Sequence, residues 1–90
     1  MLDIILSNQF KKDLKLAQKR GYDLKLLNSV VETLANCEPL DEKYRDHNLT
    51  GKYTGFRECH IQPDWLLVYR AEETELILFL SRTGTHSDLF

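Results

Sequence analysis

The spacing of apolar residues along this chain changes twice, and each change marks a new kind of element. Leu2 to Leu6 is a short apolar run that predicts an opening strand with Ile4 and Leu6 on one face. At Ser7 or Asn8, whose short side-chain oxygens can cap a helix, the period lengthens. Phe10, Leu14 and Ala17 then recur at i, i+4 and i+7, predicting a helix to Arg20 that Gly21 ends in a left-handed conformation. Asp23 caps a second predicted helix ending near Asn36, with Leu24, Leu27, Val31 and Leu34 as its stripe and Val30 widening it. Only a few residues link the two, so an antiparallel helical hairpin is expected.

Glu38-Pro39-Leu40 breaks the helical pattern, and no clear element follows until about Lys52. From Phe56 to Ile61 the period becomes two. Phe56, Glu58 and His60 fall on one strand face and Arg57, Cys59 and Ile61 on the other. Gln62-Pro63-Asp64-Trp65 suits a β-turn with proline at its second position. Trp65 to Arg70 is almost continuously apolar, as for a strand near the middle of a sheet covered by helices. Ala71 to Thr74 reads as a polar turn and Glu75 to Arg82 as another buried strand. The predicted architecture is an α+β fold in a single domain over residues 1–90. Its two N-terminal helices pack on an antiparallel sheet of three to four strands.

Composition sets bounds on this picture. At 42% hydrophobic and 29% charged residues, the balance is that of a globular protein. No apolar run approaches the roughly 20 residues that span a bilayer, so no membrane partner is expected. Asp3 stands where a signal peptide carries bases, which points to a cytoplasmic location. Cys37 and Cys59 form no C-x-x-C pair and are expected to be reduced and buried. The net charge of −2 argues against nucleic acid as a general partner, yet residues 1–27 hold six Lys/Arg against three Asp. Lys11, Lys12, Lys15, Lys19 and Arg20 share the first helix with one acid, Asp13. They form either a solvated face or a local phosphate-binding surface.

The candidate chemistry gathers around the Phe56–Tyr69 hairpin: His60 and Asp64 at its turn, His47 before it, and Arg82 and His86 after it. Imidazole exchanges protons near neutral pH, so two or three histidines beside an arginine match what metal-free RNA cleavage requires. A base takes the proton of a ribose 2′-OH, an acid protonates the leaving 5′-oxygen, and a cation stabilises the charge on phosphorus. Trp65, Tyr53 or Phe90 would stack on an unpaired base. Each residue also has a structural explanation: turn chemistry for Asp64, core packing for Trp65, pairing with Glu58 or the terminal carboxylate for Arg82. A metal site is the competing chemistry, but Cys59 and His60 are adjacent and face opposite sides of a strand. No phosphate-binding glycine loop or nucleophile elbow is present.

Several separated segments together resemble the YafQ branch of the RelE/ParE-type bacterial toxins. They are Tyr44-Arg45-Asp46-His47, Leu49-Thr50-Gly51, Gly55 to Ile61, Pro63 to Tyr69, and Arg82 to Phe90. The resemblance implies a small RelE-like, microbial-RNase-like domain acting as an endoribonuclease. It would cut mRNA in the ribosomal A site, with a cognate antitoxin as its silencing partner and operator DNA bound only by the toxin–antitoxin complex. It places the family's catalytic groups on His47, His60, Asp64, Arg82 and His86 and its C-terminal aromatic on Phe90, with no metal or other cofactor. Lys52, Arg57, Trp65 and Phe90 are the expected RNA contacts, and Lys11, Lys12, Lys15 and Lys19 the expected contacts to small-subunit ribosomal RNA. His86 is expected as one member of the acid–base pair, with Asp64 and either His47 or His60 as the other. A slightly acidic chain departs from the basic character usual in such toxins. A binding-only relative and a ParE-like gyrase inhibitor are the rival readings on the same scaffold.

Overall fold

The computed structural model describes residues 1–90 and organises them on one five-stranded sheet of order β1-β5-β4-β3-β2. The strands are β1 (Asp3–Leu6), β2 (His47–Asn48), β3 (Arg57–Gln62), β4 (Trp65–Glu72) and β5 (Ile77–Gly84). The helices are α1 (Asn8–Lys19), α2 (Leu24–Ala35) and a short α3 (His86–Leu89). None is long and apolar enough to cross a membrane. The α+β class agrees with the sequence pattern, but the sheet is larger than expected and mixed. β1 runs parallel to β5, with Asp3 opposite Ile77, while the other pairings are antiparallel. A short apolar run carries no information about the direction of its partner, and the two-residue β2 is too short to show a period.

The middle strand β4 explains the layering. Trp65, Leu66, Leu67, Val68 and Tyr69 are all at most 2% exposed. Trp65, Leu67 and Tyr69 meet Phe10, Leu27, Val30 and Leu34 of the helices. Leu66 and Val68 meet Leu89, with Leu49 and Phe56 beside them. Both faces of β4 are therefore buried, but only one is covered by the long helices. The other is covered by the tail and the segment before β3. On α2, Val30 is buried and Val31 only partly so, which centres the apolar stripe on Leu27, Val30 and Leu34.

Helix α1 takes over the edge of β5 where β1 stops. Ser7 Oγ accepts the Phe10 amide at 2.9 Å, capping α1, and donates to the Ser81 carbonyl at 2.7 Å. One turn later the buried Asp13 accepts the Thr83 amide at 3.1 Å and Arg82 Nε at 2.8 Å. Arg82 thus pairs with Asp13, not with Glu58 or the terminal carboxylate as the sequence suggested. A buried carboxylate needs donors, and the open edge of β5 supplies one while Arg82 supplies the charge.

The tail is fastened in a similar way. Thr85 and Asp88 form a reciprocal capping box, and Arg20 donates to both Asp88 oxygens at 2.6 and 3.2 Å. A Cβ on Gly84 (φ +154°) would stand 2.9 Å from Asp88 Oδ2, so glycine is required for that approach. The cysteines divide: Cys59 is buried as expected, whereas Cys37 is exposed just past the end of α2, in a left-handed conformation.

Arg20, then the Thr85 amide, hold the Asp88 carboxyl well below the usual carboxylate range. A depressed folded-state pKa contributes stability that is full above the unfolded value and is lost as pH falls. Arg20→Ala is therefore expected to lower Tm at pH 7, with the gap to the parent protein narrowing steadily below about pH 4. Thermal unfolding across pH checks this, and an equal gap at pH 2 and pH 7 would contradict it. Burial pushes the Cys59 thiol up to about 12. Alkylation of the native protein at pH 8 is expected to add one group, on Cys37, and a second only after denaturation. Mass spectrometry reads the difference, and two adducts on native protein would overturn the assignment.

Candidate active site

Three imidazoles form a row on the sheet face opposite the long helices. His47 begins β2 directly across from Glu58, His60 lies near the end of β3, and His86 opens α3. The His47 and His60 rings are 6.3 Å apart and the His60 and His86 rings 5.8 Å. Phe90 continues the row, 6.3 Å from His86 and edge-on to Tyr53 at 5.4 Å. The register of β3 against β4 shifts between His60 and Gln62, a bulge that re-aims the following turn. Asp64 in that turn reaches across to α3. Its Oδ1 lies 3.3 Å from both the backbone nitrogen and Nδ1 of His86.

The partners of each ring nitrogen order the protons. His86 Nδ1 faces a carboxylate oxygen, which accepts only, so that nitrogen carries hydrogen and, in the neutral ring, Nε2 keeps its lone pair. His47 Nδ1 lies 2.6 Å from the Arg45 carbonyl, and His60 Nδ1 lies 3.3 Å from the Pro63 carbonyl. Both rings thus place hydrogen on Nδ1 and turn Nε2 toward Glu58 Oε1, at 3.6 and 3.5 Å. Glu58, 4% exposed, is therefore the one carboxylate that both rings face.

Glu58 is the site residue that sequence reasoning missed. Its alternation had already put it on the face of His60, but nothing in the pattern showed that it would be buried there. The sequence reading also coupled Asp64 with His47 or His60, whereas the structure seats it on His86 and gives Glu58 to the other two.

The remaining candidates separate. Trp65 is 1% exposed on the helix side of β4, its indole donating to Thr83 Oγ1 at 2.9 Å and its ring 4.9 Å from Tyr22. It is a core residue, and the expected RNA contact is withdrawn. Truncating it to alanine would cost about 3–5 kcal/mol, a large part of a typical 5–15 kcal/mol total. Arg57 lies on the same helix side, donating to Asp46 and Asn48, and is likewise turned away from the histidines. Arg82 is held by Asp13. Lys52 is exposed on the rim, with its Nζ 5.5 Å from the centre of the Tyr53 ring. Lys11, Lys12, Lys15 and Lys19 are all exposed on α1. Donor atoms of Glu58, His60 and His86 fall within 4.8 Å of one another, a mixed N/O set able to hold a divalent ion such as zinc or copper. Cys59 takes no part, since it faces the core.

Comparison with known proteins places this geometry in a family. Residues 2–90 match the family described as a bacterial toxin of type II toxin–antitoxin system, YafQ. The mRNA interferase toxin YafQ of Escherichia coli K12 is 45% identical over 89 residues, covering 98% of this chain and 95% of that one. The metal-bound toxin from Helicobacter pylori superposes with a TM-score of 0.94 at 54% identity, over 100% of both chains. The toxin of the E. coli DinJ-YafQ toxin–antitoxin complex gives a TM-score of 0.88 at 43% identity, over 99% of this chain and 97% of that one. The chain belongs to the YafQ family of toxins of type II toxin–antitoxin systems.

Proposed function

We propose that this chain cleaves mRNA in the ribosomal A site by metal-independent acid–base catalysis, arresting translation until an antitoxin covers it. The observation that carries the reading is the gathering of three imidazoles and two carboxylates in one row. His86 turns Nδ1 to Asp64, which leaves Nε2 to act as the base, while His47 and His60 both turn Nε2 to the buried Glu58. The name mRNA interferase carried by the E. coli relative supports it, as does that relative's complex with DinJ.

His86 Nε2 takes the proton of a ribose 2′-OH, and the 2′-oxygen attacks the adjacent phosphorus. The P–O5′ bond breaks as His60 Nε2 gives its proton to the departing 5′-oxygen, leaving a 2′,3′-cyclic phosphate. His47 and Glu58 keep His60 supplied with a proton. Phe90, backed by Tyr53, stacks on an unpaired base, a contact worth about 1–3 kcal/mol. The exposed lysines of α1 meet ribosomal RNA in the cytoplasm, and an antitoxin that covers the histidine row would silence the toxin and bring it to operator DNA. A binding-only domain or a gyrase inhibitor gives no role to this arrangement of imidazoles and carboxylates. The second reading is that a divalent ion on Glu58, His60 and His86 occupies these same donors. The nearness of the donors favours it, and such an ion would hold the acid–base groups idle.

Glu58→Gln keeps the shape of the cluster and removes its carboxylate. It and His86→Ala are each expected to slow cleavage of ribosome-bound mRNA by about 100-fold or more, with native circular dichroism, and the parent rate is expected to be unchanged by a zinc- and copper-selective chelator that leaves Mg2+ in place. Parent-like rates in both variants would reject the mechanism, and abolition by the selective chelator would favour a working metal. Reversing Lys11, Lys12, Lys15 and Lys19 to glutamate is expected to weaken ribosome binding steeply and flatten its salt dependence, while leaving Tm near the parent value. Binding isotherms over a salt series check this, and an unchanged slope would remove α1 from the interface.

A further inference from the structure

Ion pairing divides the five arginines unequally. Arg20, Arg57, Arg70 and Arg82 are held by Asp88, Asp46, Glu72 and Asp13 at 2.6 to 3.1 Å. Arg45 alone has neither a carboxylate partner nor a side-chain hydrogen bond among these pairs, and it is exposed. Its backbone is left-handed, with φ 50° and ψ 43°, a conformation that costs a non-glycine residue about 1 kcal/mol. That twist has two consequences. It aims the Arg45 carbonyl at His47 Nδ1, 2.6 Å away, and it leaves Arg45 lining a groove of about 770 Å³. His60 and His86 line the same groove, as do Lys43, Tyr44 and Pro63. Lys43 Nζ lies 5.1 Å from the centre of the Tyr44 ring.

We infer that Arg45, with Lys43 beside it, is the phosphate-binding arm of the site, holding a backbone phosphate of single-stranded RNA laid along this groove. The inference rests on the ribonuclease reading above and adds to it the path of the strand. Arg82, to which the family resemblance gives the phosphate charge, is already neutralised by a two-point contact with Asp13. Arg45 keeps its planar fork of donors open, the geometry that recognises a phosphate through two parallel hydrogen bonds. Tyr44, packed against the core with Lys43 over its ring, holds Lys43 beside that phosphate. One residue thus orients a histidine through its main chain and captures substrate through its side chain.

Arg45→Gly separates the two roles, because glycine keeps the left-handed backbone and removes only the guanidinium. The probe is a mixed-sequence 2′-O-methyl RNA decamer, which lacks the nucleophile, with binding read by fluorescence anisotropy over a salt series. Arg45→Gly is expected to weaken binding about tenfold, the worth of one charge-assisted hydrogen bond, and to flatten the log K against log salt slope by about 0.7. Arg45→Lys is expected to restore the slope and only part of the affinity. Equal affinity and slope in the parent and Arg45→Gly would overturn the inference, as would a parent protein that cleaves ribosome-bound mRNA yet does not bind the decamer. Failure of the parent protein to cleave ribosome-bound mRNA would instead fell the ribonuclease reading, and the decamer series would still decide whether Arg45 binds a phosphate.

Discussion

Burial of both faces of β4 is the constraint from which the rest of the molecule follows. A strand with five consecutive side chains out of water needs a cover on each side, and two helices supply only one. The second cover is assembled from Leu49, Phe56 and above all Leu89. Seating Leu89 over Leu66 and Val68 requires the chain to turn back across the sheet after β5, and the turn that does so is α3. His86 and Phe90 flank Leu89 on that turn, so the apolar contact that closes the core also carries the imidazole and the aromatic ring to the row begun by His47 and His60. Packing and chemistry share one short segment.

Around that segment the acids have different tasks according to the donors they meet. Asp13 is buried against an amide and a guanidinium, and its task is to seal the edge of β5 beyond the last residue of β1. Asp88 is half outside, and it caps α3 while Arg20 ties it to α1. Glu58 is the exception. It is as deeply buried as Asp13, yet it faces two imidazoles in place of a fixed cation. A fixed cation makes an acid structural, whereas imidazoles that gain and lose protons leave it able to take part in chemistry.

Much of this was legible from the residues, and what was not has identifiable physical causes. The helices and the three long strands follow from periodicity, and their caps from Ser7, Asp23 and Gly21. The opening apolar run revealed β1 but not its parallel partner, and the fifth strand was hidden because β2, two residues long, is too brief for a period to develop. The gathering of His47, His60, Asp64, His86 and Phe90 was visible only through their order and the family resemblance, since no local rule predicts that a tail folds back. Trp65 had both a core and an RNA-contact reading, and Arg57 an RNA-contact reading, because side-chain chemistry alone does not reveal which sheet face a residue takes. Glu58 was overlooked for the converse reason: its face was known, but burial of a glutamate beside two histidines depends on long-range packing that local sequence does not encode. Arg82 was given to the wrong carboxylate because Asp13 sits within an apolar helical stripe, where an acid reads as a surface residue.

The parallel pairing of β1 with β5 has a consequence in time. Asp3 and Ile77 are neighbours in the sheet but lie at opposite ends of the chain, and His86 comes later still. During synthesis the first strand and both long helices emerge with no partner to close them, and the row of imidazoles stays incomplete until the residues after β4 have left the ribosome. Contacts of such long sequence separation also form slowly. The topology therefore ties completion of the imidazole row to the last elements of the sheet and tail to form.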